Sequence, residues 1–129
     1  MDLTQKREDF GSDDQSWIAS RHGLNNGKAA TLDVSLFTKS EHYPEGFFKS
    51  GIPLAKITAT GKVGPYDGAA TDGRGTLYGF LLTTVKAPAD PSTDVVGPVL
   101  LHGFVKASNL PIEVDAAGQA DVAGRLIFT

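Results

Sequence analysis

SGIPLAKITATGKVGPYDGAATDGRGTLYGFLLTTV, residues 50–85, sets two strand-like runs around a loop rich in Gly, Pro and Asp. Residues 52–60 are dominated by Ile and Thr, and residues 77–85 by Leu, Tyr, Phe and Val, with little polar interruption. Branched and aromatic residues held between turn formers predict strands, because they pack well on a pleated surface. The connecting residues 61–75 contain Gly64-Pro65, Asp67-Gly68 and Asp72-Gly73. Pro presets φ and Gly tolerates φ above zero, so each pair favours a turn. A connection of this length with no periodicity of its own is expected to be a functional loop.

Outward from this stretch, the chain keeps alternating apolar runs with turn signals. Tyr43-Pro44-Glu45-Gly46 predicts a turn leading into Phe47 and Phe48, which are expected in the core. Residues 87–94 form a Pro-rich polar surface excursion, and residues 99–106, including His102, read as a further buried strand. Residues 114–124 are Ala-rich and predict one short helix, with Asp115 as its N-cap and Gly124 as its stop. Residues 125–129 end the chain as an apolar strand that must be tied into a sheet or an interface.

Toward the N-terminus, residues 1–16 are polar and charged, with Leu3 and Phe10 as their large apolar side chains. Such a segment cannot bury enough apolar surface to order itself when free. Trp17-Ile18 opens an apolar patch. After the turn-prone Asn25-Asn26-Gly27, Leu32, Val34 and Leu36 alternate with polar residues, as in a half-buried or edge strand. The division this predicts is an extended arm over residues 1–37 and a compact β domain over residues 38–129.

With 129 residues, one core suffices, and 15 Gly with 7 Pro disfavour a helical bundle. The chain has no cysteine, which excludes disulfides and thiolate metal sites. A net charge of -3 with scattered Lys and Arg gives no basic stripe, so direct nucleic-acid binding is not expected. No apolar run is long enough for a membrane span, and the first residues lack the apolar core of a secretion signal. Synthesis and retention in the cytoplasm are therefore expected.

Recognisable chemistry is absent. Gly61-Lys62 is followed by Val63, not Ser or Thr, and lacks the upstream Gly of a phosphate loop. Gly73, Gly75 and Gly79 miss the dinucleotide spacing and precede a strand. His22, His42 and His102 are too scattered for a zinc site, and Asp67 and Asp72 lack the alternating acids of a calcium loop. No nucleophile elbow or paired helical carboxylates occur. No cofactor, no metal and no enzymatic activity are expected.

The residues that carry a likeness to other proteins are Ser50-Gly51-Ile52-Pro53-Leu54, Lys56-Ile57-Thr58-Ala59-Thr60-Gly61, Gly64-Pro65-Tyr66-Asp67, Asp72-Gly73, Gly79-Phe80-Leu81-Leu82, His102-Gly103, Leu110-Pro111, Asp115-Ala116-Ala117 and Ile127-Phe128. In this order they resemble the head decoration proteins of tailed bacteriophages, with residues 56–67 the most specific part. The chain departs from that pattern at Pro111-Ile112-Glu113-Val114, where family members often carry a turn containing Gly and His.

The resemblance implies a mainly β, small β-clip-like or β-barrel-like domain. It implies a virion structural protein on the outer capsid surface, a homotrimer seated at threefold and quasi-threefold positions, and the major capsid protein as partner. On this reading the arm lies along the capsid protein with Leu3, Phe10, Trp17, Ile18, Leu32, Val34 and Leu36 as contacts. The other possibility for Trp17 is packing on the protein's own core. The motif loop residues are Gly64, Pro65, Tyr66, Asp67, Asp72 and Gly73. One rival reading is a glycan- or receptor-binding module on the virion, with Tyr66 as the stacking residue. The other is a trimeric small-ligand enzyme such as a nucleotide hydrolase.

Overall fold

Residues 15–19 and 28–129 are described by a computed structural model. Among them are nine strands: β1 (Lys28–Leu32), β2 (Phe47–Phe48), β3 (Pro53–Lys56), β4 (Val63–Pro65), β5 (Leu77–Leu81), β6 (Val85–Lys86), β7 (Val95–Leu100), β8 (Gly103–Val105) and β9 (Leu126–Phe128). Two short helices, α1 (Lys39–His42) and α2 (Ala116–Asp121), and two 3-10 turns, Val34–Leu36 and Ala107–Asn109, complete the set. The protein is therefore a small, mainly β domain.

Five strands close a barrel in the order β1-β4-β3-β5-β7. Closure removes the open sheet edges that would otherwise template aggregation. The seam is the single parallel step Leu32↔Val63, extended by the Asp33 amide donating to the Val63 carbonyl at 2.9 Å. Between β3 and β5 the register shifts from Leu54↔Gly79 to Ala55↔Leu77, leaving Tyr78 as the extra residue of a bulge.

That bulge and the alternation along β7 divide the apolar residues between two cores. Leu32, Val34, Phe37, Phe48, Ile52, Leu54, Val63, Leu81 and Val99 pack together in one, with Tyr78 against them. Leu77, Phe80 and Leu100 instead join Trp17, Val105, Val114, Val122 and Leu126 in the other. An outer layer of α2, the parallel pair β8-β9 and residues 15–19 thus packs on the β5-β7 wall. Each fully buried Leu, Val or Phe contributes roughly 1.5–3 kcal/mol, an upper bound when the unfolded chain is itself partly collapsed.

Several expectations hold in the fold. Phe48 is buried as expected while Phe47 beside it is only half-buried, the helix over residues 116–121 is capped by Asp115, and the C-terminal strand is tied into a sheet. Others are corrected. Residues 28–37 are not part of an arm: β1 is a barrel strand, and Leu32 and Val34 are fully buried. After Leu32 the chain turns into a 3-10 helix, because Leu36 and Phe37 donate their amides back to Asp33 and Val34 and Ser35 Oγ donates to Asp33 Oδ1.

The loop over residues 61–75 contains β4, which its Gly64-Pro65 pair concealed. Residues 99–106 are two strands broken at the exposed bend of His102, and not one. Gly124 does not stop α2, which ends at Asp121 with Val122 as its C-cap. Leu3 and Phe10 lie outside the described residues. No helix among the described residues is long and apolar enough to cross a membrane.

Candidate functional site

The motif loop is built by hydrogen bonds its own residues impose. Asp67 donates its amide to the Arg74 carbonyl at 2.9 Å and accepts the Ala69 amide on Oδ1, which closes an Asx turn. Asp72 accepts Arg74 Nε at 2.9 Å and the Arg74 amide at 3.2 Å. The Arg74 side chain, then its amide, hold the Asp72 carboxyl below the usual carboxylate range.

Gly73 sits at φ +110°, where a Cβ would lie 2.5 Å from the Lys56 carbonyl oxygen. Backbone cannot yield there, so Gly is required. A Cβ on Gly64 would meet Arg74 Cδ at 2.9 Å and Leu36 Cδ1 at 3.0 Å, so the half-buried Leu36 covers this glycine.

Tyr66 carries the loop across to α2. Its hydroxyl donates to Asp115 Oδ1 at 2.8 Å, and the same oxygen accepts the Gly118 amide at 2.8 Å as the helix N-cap. Burial first, then the Asp115 carboxylate, push the Tyr66 phenol up to about 12. The Gly118 amide, then Tyr66, draw the Asp115 carboxyl below its ordinary value. The Tyr66 ring lies over Gly118, where a Cβ would come within 2.9 Å of Cζ. It is therefore packed and hydrogen-bonded, not presented as an open stacking platform.

Trp17 is fully buried in the protein's own outer core, 5.6 Å from Phe80. Its Nε1 donates to Ser50 Oγ at 3.0 Å, and Ser50 Oγ donates to the Leu82 carbonyl at 2.8 Å. Gly51, at φ +95°, leaves the space that the indole fills. Residues 15–19 then run antiparallel along β8: Ile18 bridges Val105, Ala19 donates to the Phe104 carbonyl, and Lys106 donates to the Trp17 carbonyl. Gln15 Nε2 also reaches the Leu82 carbonyl at 2.9 Å.

The expected capsid contacts are thus not one surface. Trp17 fills the outer core, Leu32 and Val34 fill the barrel, Leu36 rests on Gly64, and Ile18 is half-buried on β8. The motif residues, by contrast, converge. Gly64, Pro65, Tyr66 and Asp67 stand beside Asp72, Gly73 and Arg74 on one side and Asp115 on the other.

Three residues have roles that the sequence does not mark. Ser50 is the buried hydroxyl beneath Trp17, Asp121 Oδ2 accepts the Leu77 amide at 3.0 Å, and Arg125 donates to the Leu101 and Tyr78 carbonyls, both at 2.9 Å. Each is a polar residue joining elements distant in sequence, and no local pattern marks such a role. Among the described residues no group of three or more His, Asp or Glu is placed to hold a metal ion.

The fold and site define a class: a small closed β-barrel with an external second layer, whose distinctive loop is a structural junction. No family model and no curated protein matches the chain.

Proposed function

We propose that the protein decorates and stabilises the outer surface of the mature capsid of a tailed bacteriophage, bound to the major capsid protein as a homotrimer at threefold and quasi-threefold positions. One observation carries this reading. The motifs by which the sequence resembles the head decoration family, Gly64-Pro65-Tyr66-Asp67 and Asp115-Ala116-Ala117, lie 49 positions apart at Tyr66 and Asp115 yet meet in one hydrogen bond. A likeness spread along the chain is thereby concentrated in one junction, as expected if it reflects a shared fold.

Of the expected contacts, Leu3 and Phe10, which lie outside the described residues, are kept in this reading as capsid contacts, and Ile18 is half-buried on β8. Trp17 acts indirectly, by fixing on β8 the strap that follows residues 1–14. Three linked arms would gain avidity of about 10²–10⁴ over one arm, so each contact can be weak.

The test is light scattering on the purified protein, then co-sedimentation with expanded, undecorated capsids. Binding as a trimer that is lost on deletion of residues 1–14 is the expected result. Failure of the intact protein to co-sediment at any concentration would overturn the proposal.

A further inference from the structure

His42 is a buried imidazole that none of the roles above uses; it is 6% exposed. It closes a reciprocal clasp on Thr38. The Thr38 amide donates to His42 Nδ1 at 2.9 Å, and the His42 amide donates to the Thr38 carbonyl at 2.8 Å. An acceptor Nδ1 is compatible only with an imidazole carrying its single proton on Nε2. A second proton on Nδ1 would set N–H against N–H at a buried position.

The clasp holds an aromatic corner. The His42 ring meets Phe37 edge-on at 5.2 Å, Phe37 meets Phe48 at 4.9 Å, and Tyr43 meets Phe48 at 4.8 Å. Phe48 belongs to β2, which pairs with β6. Beside this pair runs a groove lined by Lys39, Tyr43, Phe47, Lys86, Pro88 and Pro91, so the corner supplies one of its walls.

We propose that His42 is a proton-operated latch: neutral, it holds residues 38–43 against the barrel, and protonated, it releases that corner and opens the β2-β6 groove while the outer layer stays folded. The charge acting on the imidazole is Glu41, on its own helix, which favours protonation. Lys39 and Tyr43 flank it on the same corner, Glu45 and Lys86 line the groove beside it, and the ring packed against it is that of Phe37.

Burial dominates and lowers the proton affinity below the ordinary 6.5, against the opposing charge of Glu41, and the Thr38 amide donated to Nδ1 favours the same neutral ring. The stabilisation by the neutral clasp is thus fully present above pH 6.5 and is lost as pH falls through the lowered value. The corner lies in the barrel core and Trp17 in the outer core, so release of one need not disturb the other.

The test is nuclear magnetic resonance on the whole chain from about pH 8 to about pH 4.5, reading imidazole titration and amide exchange together. Thr38 protection is expected to fall at least about tenfold, in step with the His42 ring, while the Val105 amide stays protected. In His42→Asn, whose carboxamide oxygen accepts the Thr38 amide but takes up no proton in this range, Thr38 protection is expected not to change with pH. Thr38 protection that is constant in the wild type, that follows the His22 or His102 ring instead, or that falls together with Val105 would overturn the proposal. So would an unchanged pH response in folded His42→Asn. Should that variant not fold, the wild-type comparison of the three rings decides alone.

Discussion

Tyr66 and Asp115 are joined by a 2.8 Å hydrogen bond in which the phenol donates to a carboxylate oxygen that also caps α2. The bond requires a neutral phenol and an ionised carboxyl, and the two shifts agree on this: Tyr66 is raised to about 12 and Asp115 is lowered. Its contribution should therefore fail at both ends of the pH scale. On the alkaline side it is fully present below the ordinary phenol value of 10.0 and is lost as pH rises through about 12. On the acid side it is present above 3.8 and is lost as pH falls through the lowered Asp115 value. Thermal melts of the wild type and Tyr66→Phe should diverge at neutral pH and converge at both extremes; curves that stay parallel would refute the link.

Gly118→Ala tests packing against propensity. In an isolated helix Ala is favoured by about 1 kcal/mol. Here a Cβ would come within 2.7 Å of Val114 Cγ1 and 2.9 Å of the Tyr66 Cζ and hydroxyl, displacing the ring from Asp115. We expect a net loss of about 1–3 kcal/mol by urea denaturation, and a stabilised variant would show the junction to be loose.

Trp17→Ala should cost about 3–5 kcal/mol, since the indole is fully buried and its removal leaves a large void against Phe80. Trp17→Phe should cost less, because Ser50 keeps its hydrogen bond to the Leu82 carbonyl. Deleting residues 1–19 removes the contacts described for Trp17 and should lower the denaturation midpoint below that of a chain lacking only residues 1–14. Equal midpoints for the two deletions would exclude a stabilising role for the strap.

Gly73→Ala and Gly46→Ala separate strain from collision. Both glycines have positive φ, +110° and +86°, but a Cβ at Gly46 meets nothing within 4 Å whereas one at Gly73 strikes the Lys56 carbonyl oxygen. Gly46→Ala is expected to cost about 1 kcal/mol. Gly73→Ala should cost clearly more or prevent folding; circular dichroism melts that rank the pair the other way would contradict the loop geometry.

Local pattern carried the fold wherever one physical cause acted alone. The apolar run from Leu77 to Leu81 could be read as a strand, as could Leu126 to Phe128, and Asp115 three residues before Gly118 announced a cap. Val63–Pro65 was hidden because Gly and Pro signal turns, and this short strand tolerates them through pairing with Leu54–Lys56. Alternation at Leu32, Val34 and Leu36 suggested a strand, but with Asp33 and Ser35 between them the chain closes a 3-10 turn instead. Trp17 was ambiguous for a deeper reason: one sequence shows that an indole needs a home, not whether Ser50, Phe80 or another chain provides it.

Val105 has Ile18 on one side and Phe128 on the other. With strands spaced about 4.8 Å, the incoming and outgoing backbone are then only about 10 Å apart. Because the strap is antiparallel and β9 parallel to β8, backward from Ile18 and forward from Phe128 both run toward the Lys106 end. In a chain shortened to begin at Gln15, any peptide or reporter fused ahead of Gln15 or behind Thr129 would start from the same pole of the molecule. A short linker between those two residues could also close the chain into a ring, freeing new ends to be opened in a surface loop.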